Sequence, residues 1–148
     1  DTNPILKSKE YFDYLKSNYP NSDFALDANY KILLIENLLA SKELYIAKYY
    51  LERDKWIPAI NRLKTILEIY DETIYVEEAI HRLVEVYYKI GLEEESKKYA
   101  KLLGYNYLSS SWYEESYRVF NKNYLNPKDQ IKKNKKNKII QSFKSLLE

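Results

Sequence analysis

Glu43 to Arg62, ELYIAKYYLERDKWIPAINR, is the stretch that decides the fold. It reads as two helices on either side of a polar turn, Arg53-Asp54-Lys55. Working back from the turn, apolar side chains recur at three- and four-residue steps through Leu39, Leu38, Ile35, Ile32 and Ala28 to Phe24. No breaker interrupts Asp23 to Glu52, which is therefore one long helix or one that bends near Ala40-Ser41-Lys42. Working forward, Trp56 to Tyr70 turns Ala59, Ile60, Leu63, Ile66, Leu67 and Tyr70 inward, and Pro58 is tolerated because it lies in the first turn. Small side chains at Ala47 and Ala59 let the two helices approach closely, while aromatic and aliphatic neighbours fill the groove against the next hairpin.

The same order returns downstream. Ala47, Tyr50, Ala59, Leu63, Ile66 and Asp71 align with Val84, Tyr87, Ser96, Ala100, Leu103 and Leu108, every pair 37 residues apart. Small, aromatic, small, apolar is the tetratricopeptide order, whose basic period is about 34 residues. The remaining punctuation fits helical hairpins. Asn3-Pro4 opens a first helix that Pro20 ends, and Ser22 caps the second. Asp71-Glu72-Thr73 is a turn. Ile74 to Ile90 stops at Gly91, and Leu92 to Leu103 stops at Gly104. Ser111 and Glu114 form a capping box for a short helix through Phe120, and Asn126-Pro127 opens a last one to Leu147. The expected fold is all-α: a tetratricopeptide-like solenoid of antiparallel hairpins with about six or seven helices. Residues 1–120 form the repeat domain and 121–148 a lysine-rich helix or tail. The first helix carries Ser8, Phe12 and Leu15 where later units carry Ala59, Leu63 and Ile66, so it reads as the second half of a hairpin, and the chain as a mature form or an excised fragment.

Composition agrees. The 148 residues are 45% apolar and 31% charged, with only two glycines and four prolines, too little turn chemistry for an all-β chain. Seventeen tyrosines are unusual, and they read as aromatic filler whose hydroxyls reach a partner or water. Net charge is +2, which makes no strong case for nucleic acid or an anionic membrane, although Lys128 to Lys138 holds six lysines against one acid, Asp129. The absence of cysteine excludes disulfides, thiolate catalysis and cysteine metal sites. No stretch is long and apolar enough to span a bilayer. There is no Gly-rich phosphate loop, G-x-S-x-G or H-E-x-x-H. The carboxylates Glu93-Glu94-Glu95 and Glu77-Glu78 sit at helix starts, where the dipole accounts for them. His81, the only histidine, lies beside Ile80 and Leu83 and reads as structural rather than as a ligand. No catalytic residue, cofactor or metal is expected.

Several stretches resemble the C-terminal half of the outer-membrane assembly lipoproteins of the β-barrel assembly machinery, the BamD or ComL type. They are Tyr19-Pro20-Asn21-Ser22 with Ala28, ELYIAKYY at 43–50, Trp56-Ile57-Pro58-Ala59-Ile60-Asn61-Arg62, Glu78-Ala79, Leu83-Val84, Tyr87 and Gly91-Leu92, together covering roughly residues 1–120. Asp54 stands where that family usually has glycine, and Asp71 where it usually has proline. The resemblance implies a non-enzymatic scaffold on the periplasmic face of the Gram-negative outer membrane. It implies a POTRA domain of the barrel-forming subunit and accessory lipoproteins as partners, with Arg62 at the contact. Membrane attachment would come only through an N-terminal lipid anchor that this chain lacks.

The candidate partner-binding residues are thus Arg62, Asn61 and Trp56, and the candidate repeat-packing residues are Ala47, Tyr50, Ala59, Leu63, Tyr87 and Ala100. Plainer roles stand beside these. Arg62 can pair locally with Glu52 or Asp54, and Trp56 can close its own hairpin. The run Lys132 to Lys138 could touch phosphates or anionic lipid, and its plainer reading is a solvated or disordered tail. The alternative function is a tetratricopeptide adaptor binding a peptide or partner helix in another system.

Overall fold

The computed structural model describes residues 3–108, 110–122, 131, 134–138 and 141, all without a strand. Six helices follow one another: α1 (Asn3–Asn18), α2 (Asp23–Leu51), α3 (Trp56–Ile69), α4 (Val76–Lys89), α5 (Glu93–Asn106) and α6 (Ser111–Phe120). Residues 134–138 are helical too. The fold is all-α and tetratricopeptide-like. Consecutive helices pack as hairpins, α2 on α1 and α3, and α4 on α3, α5 and α6.

The long segment resolves as one continuous helix of 29 residues, capped by Ser22, whose hydroxyl accepts from the Ala25 N–H at 3.1 Å. Ala25, Ala28, Ile32, Leu39, Ala40, Leu44 and Ala47 are its buried face.

The repeat is visible in how its helices stop. At the end of α4, Gly91 adopts φ +82°, with Gly91 N–H bonded to Tyr88 O at 3.1 Å and Leu92 N–H to Tyr87 O at 2.8 Å. At the end of α2, Asp54 adopts φ +55°, with Asp54 N–H bonded to Leu51 O at 3.2 Å and Lys55 N–H to Tyr50 O at 2.9 Å. Both are Schellman closures, which satisfy two of the last carbonyls by turning one residue left-handed. Asp54 and Gly91 are 37 residues apart, the spacing of the sequence repeat.

Three boundaries differ from the sequence expectation. The helix expected from Ile74 begins at Val76, because residues 71–75 form turns over Tyr70. The fifth helix does not stop at Gly104 but continues to Asn106. Gly104 instead marks a close approach: a Cβ there would lie 2.5 Å from Cε2 of Tyr113 on α6. The N-cap of α6 is Ser110 rather than Ser111, its hydroxyl accepting from Trp112 N–H at 3.2 Å. The same hydroxyl also donates to Glu77 of α4, a partner 33 residues away that local pattern does not reveal. The Asn126-Pro127 start and most of the expected last helix lie outside the described residues.

A continuous core runs from Ala40, Leu44 and Ala47 of α2 through Leu63 and Ile66 to Leu83 of α4 and Leu103 of α5. No residue of α1 is buried. Ser8, aligned with the buried Ala59, is exposed and hydrogen-bonds back to Pro4 O at 2.9 Å.

Candidate partner-binding surface

Ala47, Ala59 and Leu63 are fully enclosed where α2 meets α3, and Ala100 and Tyr87 are buried where α5 meets α4. Tyr50 is half-buried beside the α2–α3 turn. Ser96, which holds the Ala59 position of the second hairpin, is buried, and its hydroxyl donates to Val84 O at 2.7 Å. The small side chain thus allows the approach and also ties the two helices together. Tyr87 stacks on Tyr99 with centroids 5.5 Å apart and planes 5° from parallel. Burial pushes the Tyr99 phenol up from its usual range.

This packing fixes α3 and decides where its polar residues go. Arg62 lies on the flank that faces α2, and its Nη1 donates to both carboxylate oxygens of Glu43, at 3.2 and 3.0 Å. The expected local partners are otherwise engaged: Glu52 lies 3.7 Å from Arg53, and Asp54 lies 3.4 Å from Lys89. Glu43 is mostly buried at 17% exposure, whereas Arg62 is 44% exposed. A mostly buried carboxylate therefore anchors an accessible guanidinium. The contact uses one nitrogen and leaves Nε and Nη2 as donors for a second acceptor, the arrangement that suits bidentate recognition of a carboxylate.

Asn61 is exposed on the outward side of α3, and its backbone oxygen accepts from the Thr65 hydroxyl at 3.0 Å. Trp56 turns the other way. It is half-buried against the core, with the Lys89 ammonium 4.5 Å from its ring centroid and Leu51 and Val86 beside it. Arg62 therefore faces α2 and Trp56 faces α4, so the three candidates do not form one patch.

Sequence reading missed a charged cluster on α4. Arg82 donates from Nη1 to Glu85 at 2.7 Å and from Nη2 to Glu78 at 3.3 Å, and Glu78 also pairs with Lys48 of α2. Its guanidinium stands 5.7 Å from the Trp112 ring of α6. Burial would raise the Glu85 carboxyl, but His81 and Arg82 outweigh it and hold the group at about 2. The i, i+3 and i, i+4 spacing of Glu78, Arg82 and Glu85 was available in the sequence, whereas the contacts to α2 and α6 were not.

His81 is buried at the α4–α6 contact. Its Nδ1 lies 2.9 Å from the buried Ser116 hydroxyl and its ring 5.1 Å from that of Trp112. Among the described residues, no three His, Cys, Asp or Glu side chains are grouped to hold a metal ion, and no helix is long and apolar enough to cross a membrane.

Comparison with known proteins supplies the biological setting. Residues 1–103 match the family model described as outer membrane lipoprotein, YfiO. An outer membrane protein assembly factor BamD from Rickettsia prowazekii is 40% identical over 126 residues, covering 85% of this chain and 50% of that protein. The protein of the same name from Caulobacter vibrioides is 42% identical over 109 residues, covering 74% of this chain and 36% of its own. The one from Vibrio cholerae is 32% identical over 106 residues, covering 72% and 44%. The chain thus spans about half, or less, of the length of these relatives.

Proposed function

Since the chain belongs to the BamD-type family of outer membrane assembly lipoproteins, we propose that it is a non-enzymatic scaffold in the assembly of outer-membrane β-barrel proteins, working at the periplasmic face of that membrane. Its repeat domain, residues 1–120, docks on a POTRA domain of the barrel-forming subunit, and accessory lipoproteins of the same complex use the same solenoid. The observation that carries the docking surface is the Arg62–Glu43 pair. An accessible guanidinium, anchored on one nitrogen by a mostly buried carboxylate, is pre-organised for an acidic partner residue. Asn61 lies next to it on the outward side of α3. Trp56 supports the site indirectly by fixing the start of α3 against α4.

The test is binding of this chain to the periplasmic POTRA domains of its cognate barrel-forming subunit, with Arg62→Glu in parallel. Saturable binding is expected, weakened at least about 30-fold in the variant, since losing one partner of a hydrogen-bonded charge pair costs about 2 kcal/mol or more. Circular dichroism should be unchanged. A second reading, a groove that takes a peptide, is favoured by Leu34, Leu38, Tyr45 and Tyr49, which leave an apolar stripe exposed along α2. On that reading Arg62→Glu is silent and Leu38→Glu abolishes binding.

A further inference from the structure

The charge of this chain is segregated. Residues 128–148 hold seven lysines against two acids, so residues 1–127, with 17 basic and 20 acidic side chains, are net negative. The helical stretch 134–138 sets Lys135, Lys136 and Lys138 in solvent, and Ile131 just before it is 59% exposed. Five of the ten residues that follow in sequence are apolar: Ile139, Ile140, Phe143, Leu146 and Leu147. The proposed docking surface on α2 and α3 uses none of Lys135, Lys136 and Lys138.

We propose that the lysine-rich helix around Lys135, Lys136 and Lys138 is a contact for a bilayer surface rich in anionic headgroups. Clustered lysines beside apolar residues are the composition of segments that lie at a membrane interface, held by charge and by shallow apolar insertion. A nucleic acid would call for aromatic side chains interleaved with the lysines for base stacking, and Phe143 is the one aromatic between Lys128 and Glu148. The acidic body strengthens the case. An anionic surface attracts the tail and repels the repeat domain, so the molecule is oriented with its solenoid held away from the lipid. In the setting proposed above, a bilayer is the anionic surface at hand, and this point alone rests on that setting.

The experiment is co-sedimentation of the full chain with phosphatidylcholine vesicles, with and without phosphatidylglycerol. Binding is expected only to the anionic vesicles. Raising ionic strength should release it, because the screening length shrinks to about 3 Å at 1 M salt. The triple variant Lys135→Gln, Lys136→Gln, Lys138→Gln should lower the partition coefficient roughly 100-fold, since each lysine near an anionic surface contributes about five-fold. All three side chains are exposed, so the helical signal of the variant should match that of the native chain. Equal binding to neutral vesicles, no binding to either, or an unchanged partition coefficient in the variant would each overturn the proposal. Tighter binding to duplex DNA than to anionic vesicles at the same salt would overturn it too, in favour of a nucleic-acid contact. Arg62→Glu should leave vesicle binding intact, which separates this contact from the POTRA site.

Discussion

Asp54 and Gly91 close equivalent helices with the same pair of hydrogen bonds, yet only one of them is glycine. A left-handed backbone costs an L-residue roughly 1–2 kcal/mol, less for aspartate, and costs glycine nothing beyond its extra freedom when unfolded. The Asp54–Lys89 pair is exposed on both sides and offsets little. Asp54→Gly should therefore raise stability by about 0.5–1 kcal/mol, read as a higher urea midpoint with an unchanged slope. Gly104 runs the opposite way. Alanine is the better helix former by about 1 kcal/mol. Against this, a Cβ would press into the Tyr113 ring, and overpacking costs about 1–3 kcal/mol. Gly104→Ala should thus destabilise by about 1 kcal/mol, and unfolding that moves the other way would show that Tyr113 can swing clear. The two glycines show what sequence can convey. Gly91 is legible because a helix stop is a local event. Gly104 was misread as a second stop because its reason, a tyrosine on the next helix, is a contact in space.

At the scale of elements, α6 shows the same division between local and distant causes. The capping-box pattern announces a short helix through Phe120 but places its cap one residue late. The run Ser109-Ser110-Ser111 offers three candidates, and the spacing to Glu114 favours Ser111. The fold selects Ser110, because there one hydroxyl both caps α6 and reaches Glu77 of α4. Ser110→Ala should cost about 1 kcal/mol and speed amide exchange in the first turn of α6 before any other helix, whereas Ser111→Ala should be near neutral. On α4, Glu85 links the buried His81 to Arg82. Burial opposes its charge, but His81 and Arg82 hold its carboxyl at about 2, below its unfolded value near 4.5. A depressed carboxyl contributes stability that is complete above the unfolded value and lost as pH falls through the folded one. Native protein should therefore lose stability relative to Glu85→Gln between about pH 4.5 and 2. The loss should be about 1 kcal/mol, because the 41% exposed side chain is screened by solvent. Parallel acid unfolding curves for the two proteins would sink this reading.

The described helices form a row of hairpins in which each packs on its neighbours and α4 also on α6, so stability should be graded along the row. The gradient can be read from burial. Eight residues of α4 are buried, among them Leu83 and Val84 with no exposed surface, while α1 has none. Amide exchange should therefore be slowest in α4 and fastest in α1, where Phe12 and Leu15 are only half covered. The same asymmetry applies to truncation. Leu83→Ala should cost about 3 kcal/mol by leaving a cavity in the core, and Leu15→Ala less than about 1 kcal/mol, because water already reaches that site. The gradient bears on the proposed docking surface as well. Arg62 and Glu43 sit on the two helices of the hairpin next to α4, in the well-packed part of the row, so the guanidinium is held by elements that open rarely. Arg62 itself was legible through the motif around it, but Glu43 was not, because 19 residues separate the pair and the α2–α3 turn alone brings them together. If exchange shows α3 opening as readily as α1, the pair is not pre-organised. Arg62 would then contribute to binding only what an exposed ion pair contributes, a fraction of 1 kcal/mol.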